Sequence, residues 1–198
     1  YESNAIMLQT ALLEAHYNQV QVYQVDDHFD NTKSILEKAI QTHDVVLVSG
    51  GISVGDYDFV GQALQSLEVE ILFYKVNQKP GKPLMAGKFK DTLIFALPGN
   101  PAASLTCFYI YVKPTLEQLS GIKTNYQTTI QKPLAHDYLV NNSRSQFLKA
   151  RLFDDAITIL SHQDSSMLDS FALANALIYV PNGNYDLRQG DKVAVYLL

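Results

Sequence analysis

The run Asp-Val-Val-Leu-Val at 44–48 constrains the fold more than any other stretch. A continuous β-branched run without polar alternation is expected of a strand buried on both faces. It leads straight into Ser49-Gly50-Gly51, so the strand ends in a turn that uses glycine's conformational freedom. Residues 93–97 repeat the pattern and stop at Pro98-Gly99. Helical periodicity fills the intervals. Ala5, Leu8, Leu12 and Ala15 follow an Asn4 cap; Ile35, Leu36, Ala39 and Ile40 follow a cap at Asp30 or Asn31. Phe59, Val60, Ala63, Leu64 and Leu67 share a face of a helix that starts near Asp58. Residues 20–25 and 69–74 read as further strands, and an irregular loop carrying lysines follows the second of them. Asn100 caps a long helix with Pro101 at its first position, and Pro114 kinks or restarts it. Strands alternating with helices predict a three-layer α/β domain with a mainly parallel sheet.

The texture changes near Gly121. Residues 1–121 carry 8 Lys/Arg and 13 Asp/Glu, whereas residues 122–198 carry 7 of each. Gly121 is placed to end a helix. Beyond it, 126–131, 146–153, 156–160, 176–180 and 192–197 read as short strands, with Asn182-Gly183 supplying a turn. In 146–153, Leu148, Ala150 and Leu152 share one face, and Phe147, Lys149 and Arg151 the other. The expected organisation is an α/β domain at 1–121 followed by a small all-β barrel or sandwich at 122–198.

Composition narrows the function. A net charge of −5 argues against a general nucleic-acid binder. No apolar run approaches the ~20 residues of a membrane-spanning helix. The single cysteine, Cys107, excludes a disulfide framework and multi-cysteine metal sites. His16, His28, His43, His136 and His162 lack ligand-like spacing, and no Cys–His or Ser–His arrangement suggests a covalent hydrolase. A cytoplasmic setting follows as the default. The chain opens at Tyr1 without an initiator Met and reads as a piece of a longer protein.

Three segments fall where open α/β sheets place ligands, beyond the carboxyl ends of strands. In Ser49-Gly50-Gly51-Ile52-Ser53-Val54-Gly55-Asp56-Tyr57-Asp58, the glycines let the backbone approach an anion, and Ser49 and Ser53 can bond phosphate or pterin edges. Asp56 and Asp58 suffice to hold Mg²⁺, which commonly uses one or two carboxylates. In Lys79-Pro80-Gly81-Lys82-Pro83, prolines stiffen a loop inside a stretch, 75–90, that has five lysines and no acid. Composition leaves two readings open, an oxyanion clamp and a solvated loop. Leu97-Pro98-Gly99-Asn100-Pro101 is a turn with a capped helix start and a candidate wall of the same pocket.

Taken together, these three segments resemble the MoeA and gephyrin E-domain family of molybdopterin molybdenumtransferases. The resemblance continues through Arg144-Ser145-Gln146-Phe147 and Gln163-Asp164-Ser165-Ser166-Met167-Leu168, so it covers nearly the whole chain. It implies a molybdopterin-binding α/β domain and a C-terminal β-barrel. It also implies insertion of molybdate into adenylylated molybdopterin, with release of AMP and involvement of Mg²⁺. By motif position the catalytic candidates are Asp58, Ser53 and Lys82. Ser49, Gly50, Gly51, Gly55, Lys79, Pro80, Gly81, Pro98, Gly99, Asn100 and Pro101 would line the cofactor site. Lys79, Lys82, Arg144 and Ser165 would face molybdate, and Asp58 and Asp56 the metal. The resemblance further implies a homodimer in the full-length form and no nucleic-acid or membrane partner. Set against it, the first strand of the α/β domain and the family's N-terminal domains are missing, so the expectation is that residues 1–198 alone are inactive. The rivals are a Mog-type molybdopterin adenylyltransferase, which normally lacks the barrel, and a non-catalytic gephyrin-like scaffold.

Overall fold

Helix and strand boundaries follow the punctuation of the sequence closely. The computed structural model describes residues 3–26, 28–50, 59–122, 129–164 and 167–198. Two compact units emerge: one comprises Tyr1–Val76 and Gly81–Phe108, the other Asn77–Pro80 and Tyr109–Leu198. The seam expected at 121–122 falls inside the second.

The first unit contains α1 (Asn4–Glu14), α2 (Phe29–Thr42), β1 (Val45–Ser49), α3 (Phe59–Ser66) and β2 (Glu70–Tyr74). The two-residue β3 (Gln78–Lys79) belongs to the second unit, and β4 (Met85–Phe89), β5 (Thr92–Leu97) and α4 (Pro101–Cys107) return to the first. Its sheet runs β1-β5-β4-β2. β1 and β5 are parallel, from Val45↔Leu93 to Ser49↔Leu97. β5–β4 and β4–β2 are antiparallel.

The sheet is therefore mixed, not mainly parallel. The cause lies in the lysine-bearing stretch, read from the sequence as an irregular loop. Its Met85–Phe89 portion turns back on β5 through Lys90 and Asp91, with Lys90 in the left-handed region at φ 53°. A second expectation also fails: residues 20–25 form no strand. Valines favour strands only where cross-strand neighbours cover them. Here Val22 is 50% and Val25 38% exposed.

Leu36, Ala39 and Ile40 of α2 and Val60, Ala63 and Leu64 of α3 pack with Val46, Met85, Ile94 and Ala96 of the sheet. Phe95 and Leu97, at alternate positions of β5, are buried too, as period-2 strands require when both faces are covered. Thr92 Oγ1 lies 3.0 and 2.9 Å from the carbonyl oxygens of Ile40 and His43, serving acceptors that the end of α2 leaves unpaired. α1 buries Asn4, Leu8 and Ala11 instead of the Leu12 and Ala15 face. Its N-cap is Ser3, so Asn4 is the first helical residue, not the cap. His28 likewise takes the N-cap of α2, with Asp30 in its first turn.

After α4 the helical path widens into a π-turn at Phe108–Val112 and resumes as α5 (Lys113–Leu119) with Pro114 in its first turn. Proline has no N–H to give the preceding turn, which accounts for a restart at this point. Gly121, at φ +76°, ends α5; Ile122 N–H reaches back to Glu117 O at 3.0 Å.

The second unit adds β6 (Thr129–Pro133), β7 (Tyr138–Asn142), β8 (Ser145–Phe153), β9 (Ala156–Ile159), α6 (Asp169–Leu173), β10 (Ala176–Val180), β11 (Gly183–Leu187) and β12 (Lys192–Leu197). Its main sheet runs β3-β8-β10-β12-β6, with β9 also on β8. A bridge from Leu134 to Ile157 joins the end of β6 to β9, so the strand order nearly closes on itself. β7 and β11 pair with each other and have no counterpart in the sequence reading. Asn141, Asn142, Asn184 and Asp186 hide their alternation, since Asn and Asp are depleted in strands.

Candidate functional site

In the first unit two of the three segments meet at the carboxyl ends of a parallel strand pair. Ser49 ends β1 and Leu97 ends β5, directly opposite each other. Gly50 follows at φ +83°, a conformation that selects glycine. A Cβ placed on Gly99 would sit 3.9 Å from Gly50 Cα, so the Ser-Gly and Pro-Gly turns lie side by side. Asn4 Nδ2 donates to Gly99 O at 2.7 Å and pins the second turn to α1. Asn100 occupies the N-cap of α4 with extended backbone, and Pro101 opens the helix. Ser49 Oγ is buried and has no hydrogen-bond partner among the described residues. Leaving a buried hydroxyl unpaired costs about 1–3 kcal/mol, which a ligand's polar edge would relieve.

The lysine segment is divided between the units. Lys79 and Pro80 belong to the second, Gly81 and Lys82 to the first. Gly81 adopts φ +92°, and Lys82 O accepts the Val76 N–H at 3.0 Å. The wider positive island breaks up. Lys88 pairs across from Glu70, and the Lys75 and Lys90 ammonium groups lie over the rings of Tyr74 and Phe89. Lys79 and Lys82 remain exposed, with no ion pair among the described residues.

Two cationic candidates come together in the second unit. β3 pairs in parallel with β8, Gln78↔Ser145 and Lys79↔Gln146. Arg144 immediately precedes the first paired residue, which brings it to the same strand edge as Lys79. Its guanidinium has no ion-pair partner among the described residues, whereas Arg188 is tied to both Asp137 and Asp186. The edge is well held. Tyr111 donates to Gln78 Oε1 at 2.5 Å, Gln78 Nε2 donates to Pro80 O at 3.0 Å, and Tyr179 donates to Ser145 Oγ at 3.0 Å. Gln78 is 3% exposed.

Residues 1–118 match the model of a probable molybdopterin binding domain, and residues 132–198 match the MoeA C-terminal region, domain IV. The chain belongs to the molybdopterin-binding-domain family. A relative from Staphylococcus epidermidis, named molybdopterin molybdenumtransferase, is 33% identical over 200 residues, 98% of this chain and 48% of its own length. One of the same name from Staphylococcus aureus is 28% identical over the same shares. Among solved structures, a molybdenum cofactor biosynthesis protein from Pyrococcus furiosus superposes with TM-score 0.76 at 28% identity, covering 99% of this chain and 64% of that one. A molybdopterin biosynthesis MoeA protein from Pyrococcus horikoshii gives 0.76 at 28%, over 96% and 47%. The chain spans about half the length of the curated relatives it matches.

Of the site residues expected for this molybdopterin-binding-family chain, Gly51, Ser53, Gly55, Asp56, Asp58 and Ser165 lie outside the described residues. Three side chains that hold the described site segments were not assigned that role from the sequence: Asn4, Gln78 and Tyr111. Lys149 was read in the sequence only as a member of a strand face. It shares a strand face with Phe147 and Arg151, yet it is only 3% exposed. Its ammonium donates to the carbonyls of His162, Asp164 and Met167. Burial pushes its pKa below the ordinary lysine value, opposed by the nearby Asp169 and Asp164 carboxylates. The available signal was Phe147, an aromatic two residues away on the same face.

Cys107 packs as the sequence suggested. It is fully buried, with Sγ 4.0 Å from Gly81 O, and desolvation pushes its pKa up to about 12. We expect iodoacetamide at pH 8 to alkylate it at least ~100-fold more slowly in the native protein than in urea, since thiolate and access are both required. Mass spectrometry of quenched samples checks this; equal rates would place the thiol at the surface.

Proposed function

We propose that this protein acts in molybdenum cofactor biosynthesis and inserts molybdate into adenylylated molybdopterin, releasing AMP. The observation that carries the reading is the β3–β8 edge, where Lys79 and Arg144 meet without neutralising carboxylates among the described residues. Molybdate is a dianion, and the adenylylated substrate bears a pyrophosphate. Their approach is opposed by roughly several kcal/mol of Coulomb repulsion at an effective dielectric near 20. Fixed cations offset that without reorganising during the reaction. In the first unit the Ser49-Gly50 and Pro98-Gly99-Asn100-Pro101 turns would receive the pterin and phosphate edges, with Ser49 Oγ available as a partner. Lys82 would complete the anion contacts, together with Gly51, Ser53 and Gly55, and Ser165 and Arg144 would face molybdate.

Asp58 and Asp56 offer the hard oxygen donors that Mg²⁺ prefers, and the ion would polarise the pyrophosphate. Homodimerisation and a cytoplasmic location belong to the same proposal; no helix among the described residues is long and apolar enough to cross a membrane. The match of residues 132–198 to the MoeA C-terminal region favours insertion over Mog-type adenylylation.

The test is AMP release by the natural full-length protein loaded with adenylylated molybdopterin. Release should depend on added molybdate. Asp58→Asn should raise the magnesium concentration for half-maximal rate by about tenfold, as expected for loss of one of two carboxylate ligands. AMP release that ignores molybdate would sink the insertion reading.

A further inference from the structure

Burying an ammonium is costly, and apolar replacement of buried charges is often neutral or stabilising. The Lys149 arrangement therefore calls for a reason beyond packing. Its Nζ has three donors, and three backbone carbonyls receive them: His162 O at 2.8 Å, Met167 O at 3.0 Å and Asp164 O at 3.3 Å. Phe171 of α6 lies over it, with the ring centroid 5.7 Å away.

Gln163 ties the same segment to the same residue's main chain. Its Oε1 accepts the Lys149 N–H at 2.9 Å, and its Nε2 donates to Lys149 O at 2.8 Å and Leu160 O at 2.7 Å. Ser170 Oγ adds a bond to His162 O at 2.8 Å, and Met167 N–H closes a turn onto Asp164 O at 3.1 Å. The described residues of 161–168 belong to no strand or helix, so their carbonyls find in Lys149 the partners a ladder would otherwise supply. All of these groups lie in the second unit, and the strand that bears Lys149 is the one that begins next to Arg144.

From this geometry we infer that Lys149 is a positioning residue for molybdate: its ammonium gathers the carbonyls of His162, Asp164 and Met167 and so fixes the chain on either side of Ser165 to β8, the strand that begins next to Arg144. The inference rests on the reading above that Ser165 and Arg144 face molybdate. An apolar side chain of equal length would fill the space but take the donor from Met167 O and one of two donors each from His162 O and Asp164 O. The segment would then sample other conformations, and the molybdate site would be formed only part of the time. Such a loss appears in the apparent affinity, divided by the competent fraction, rather than in the chemical step.

The experiment compares Lys149→Met, Lys149→Arg and Ser165→Ala in the natural full-length protein, by amide hydrogen exchange and by the molybdate KM and kcat of AMP release. For Lys149→Met we expect exchange in 160–168 to quicken by about tenfold or more while β10 keeps its protection. Its molybdate KM should rise by about tenfold with kcat within about threefold and the KM for adenylylated molybdopterin unchanged. Ser165→Ala should raise the molybdate KM with wild-type exchange. If Lys149→Met quickens loop exchange but leaves the molybdate KM at wild type while Ser165→Ala raises it, the positioning role is overturned alone. An unchanged KM in both overturns the Ser165 reading beneath it. Should Lys149→Met fail to fold, Lys149→Arg decides: its planar fork keeps the charge but fits three carbonyls less well, so a rise of about threefold in molybdate KM supports the inference and a wild-type KM overturns it.

Discussion

Removing both cations from the β3–β8 edge is expected to raise the molybdate KM by about 10²- to 10³-fold, the combined loss of two contacts worth roughly 1.5–3 kcal/mol each, discounted for coupling. Lys79→Ala and Arg144→Ala should each cost about 10- to 150-fold on the same scale. The register Lys79↔Gln146 makes the two residues neighbours, so their effects should not simply add. Low ionic strength is the condition of choice, because Lys79 is exposed and its contribution is screened by salt. Lys79→Arg should restore part of the loss, since a fork differs from a point charge. Wild-type KM values in both single variants would remove this edge from the site.

The largest loss of stability is expected from Ile178→Ala, about 3–5 kcal/mol. Ile178 lies on β10, which has β8 on one side and β12 on the other. It is fully buried, and its direct cross-strand partners, Leu148 and Val195, belong to the same core cluster. Flanked on both sides, the truncated site has little room to collapse, which is when a cavity costs most. Against a typical total of about 5–15 kcal/mol, such a loss leaves the second unit close to unfolding. Urea denaturation followed by tyrosine fluorescence measures it. A change under about 1 kcal/mol would mean that the neighbouring strands close over the gap.

What the sequence disclosed depended on whether the physics was local. The strands at 45–49 and 92–97 announced themselves through uninterrupted apolar runs, although only β5 is buried on both faces; in β1 Val46 alone is buried and the rest is half-buried. Leu36, Ala39 and Ile40 did so through helical spacing, and Gly121 through the need for a left-handed residue at a helix end. What stayed hidden was set by partners far along the chain. Met85-Ala86-Gly87-Lys88-Phe89 gives no strand signal by itself, with a glycine at its centre and a lysine beside it. Its place comes from β5 and β2 on either side. Conversely, the valines of 20–25 carry strand propensity but meet no ladder. The candidate site divides in the same way. Ser49, Gly50, Gly99 and Asn100 were legible as strand ends and helix starts. The adjacency of Lys79 and Arg144 was not, because it spans sixty-odd residues and rests on a two-residue strand. The burial of Lys149 was not legible either, because the carbonyls that receive its ammonium lie at 162, 164 and 167, outside its own strand.

Residues 77–80 have a consequence for how such a protein can be cut and inherited. They are counted with the second unit, while the segments on both sides belong to the first. The two bodies are thus interleaved along the gene. A protease nick or a recombination breakpoint anywhere between 81 and 108 yields no autonomous second half: the downstream piece lacks Gln78 and Lys79 and leaves the start of β8 without its neighbour. An uncovered strand edge invites pairing with other chains. Shuffling of the C-terminal part onto another scaffold would therefore have to carry the small upstream loop with it, or supply a substitute strand, so the two units are expected to travel through evolution as one piece.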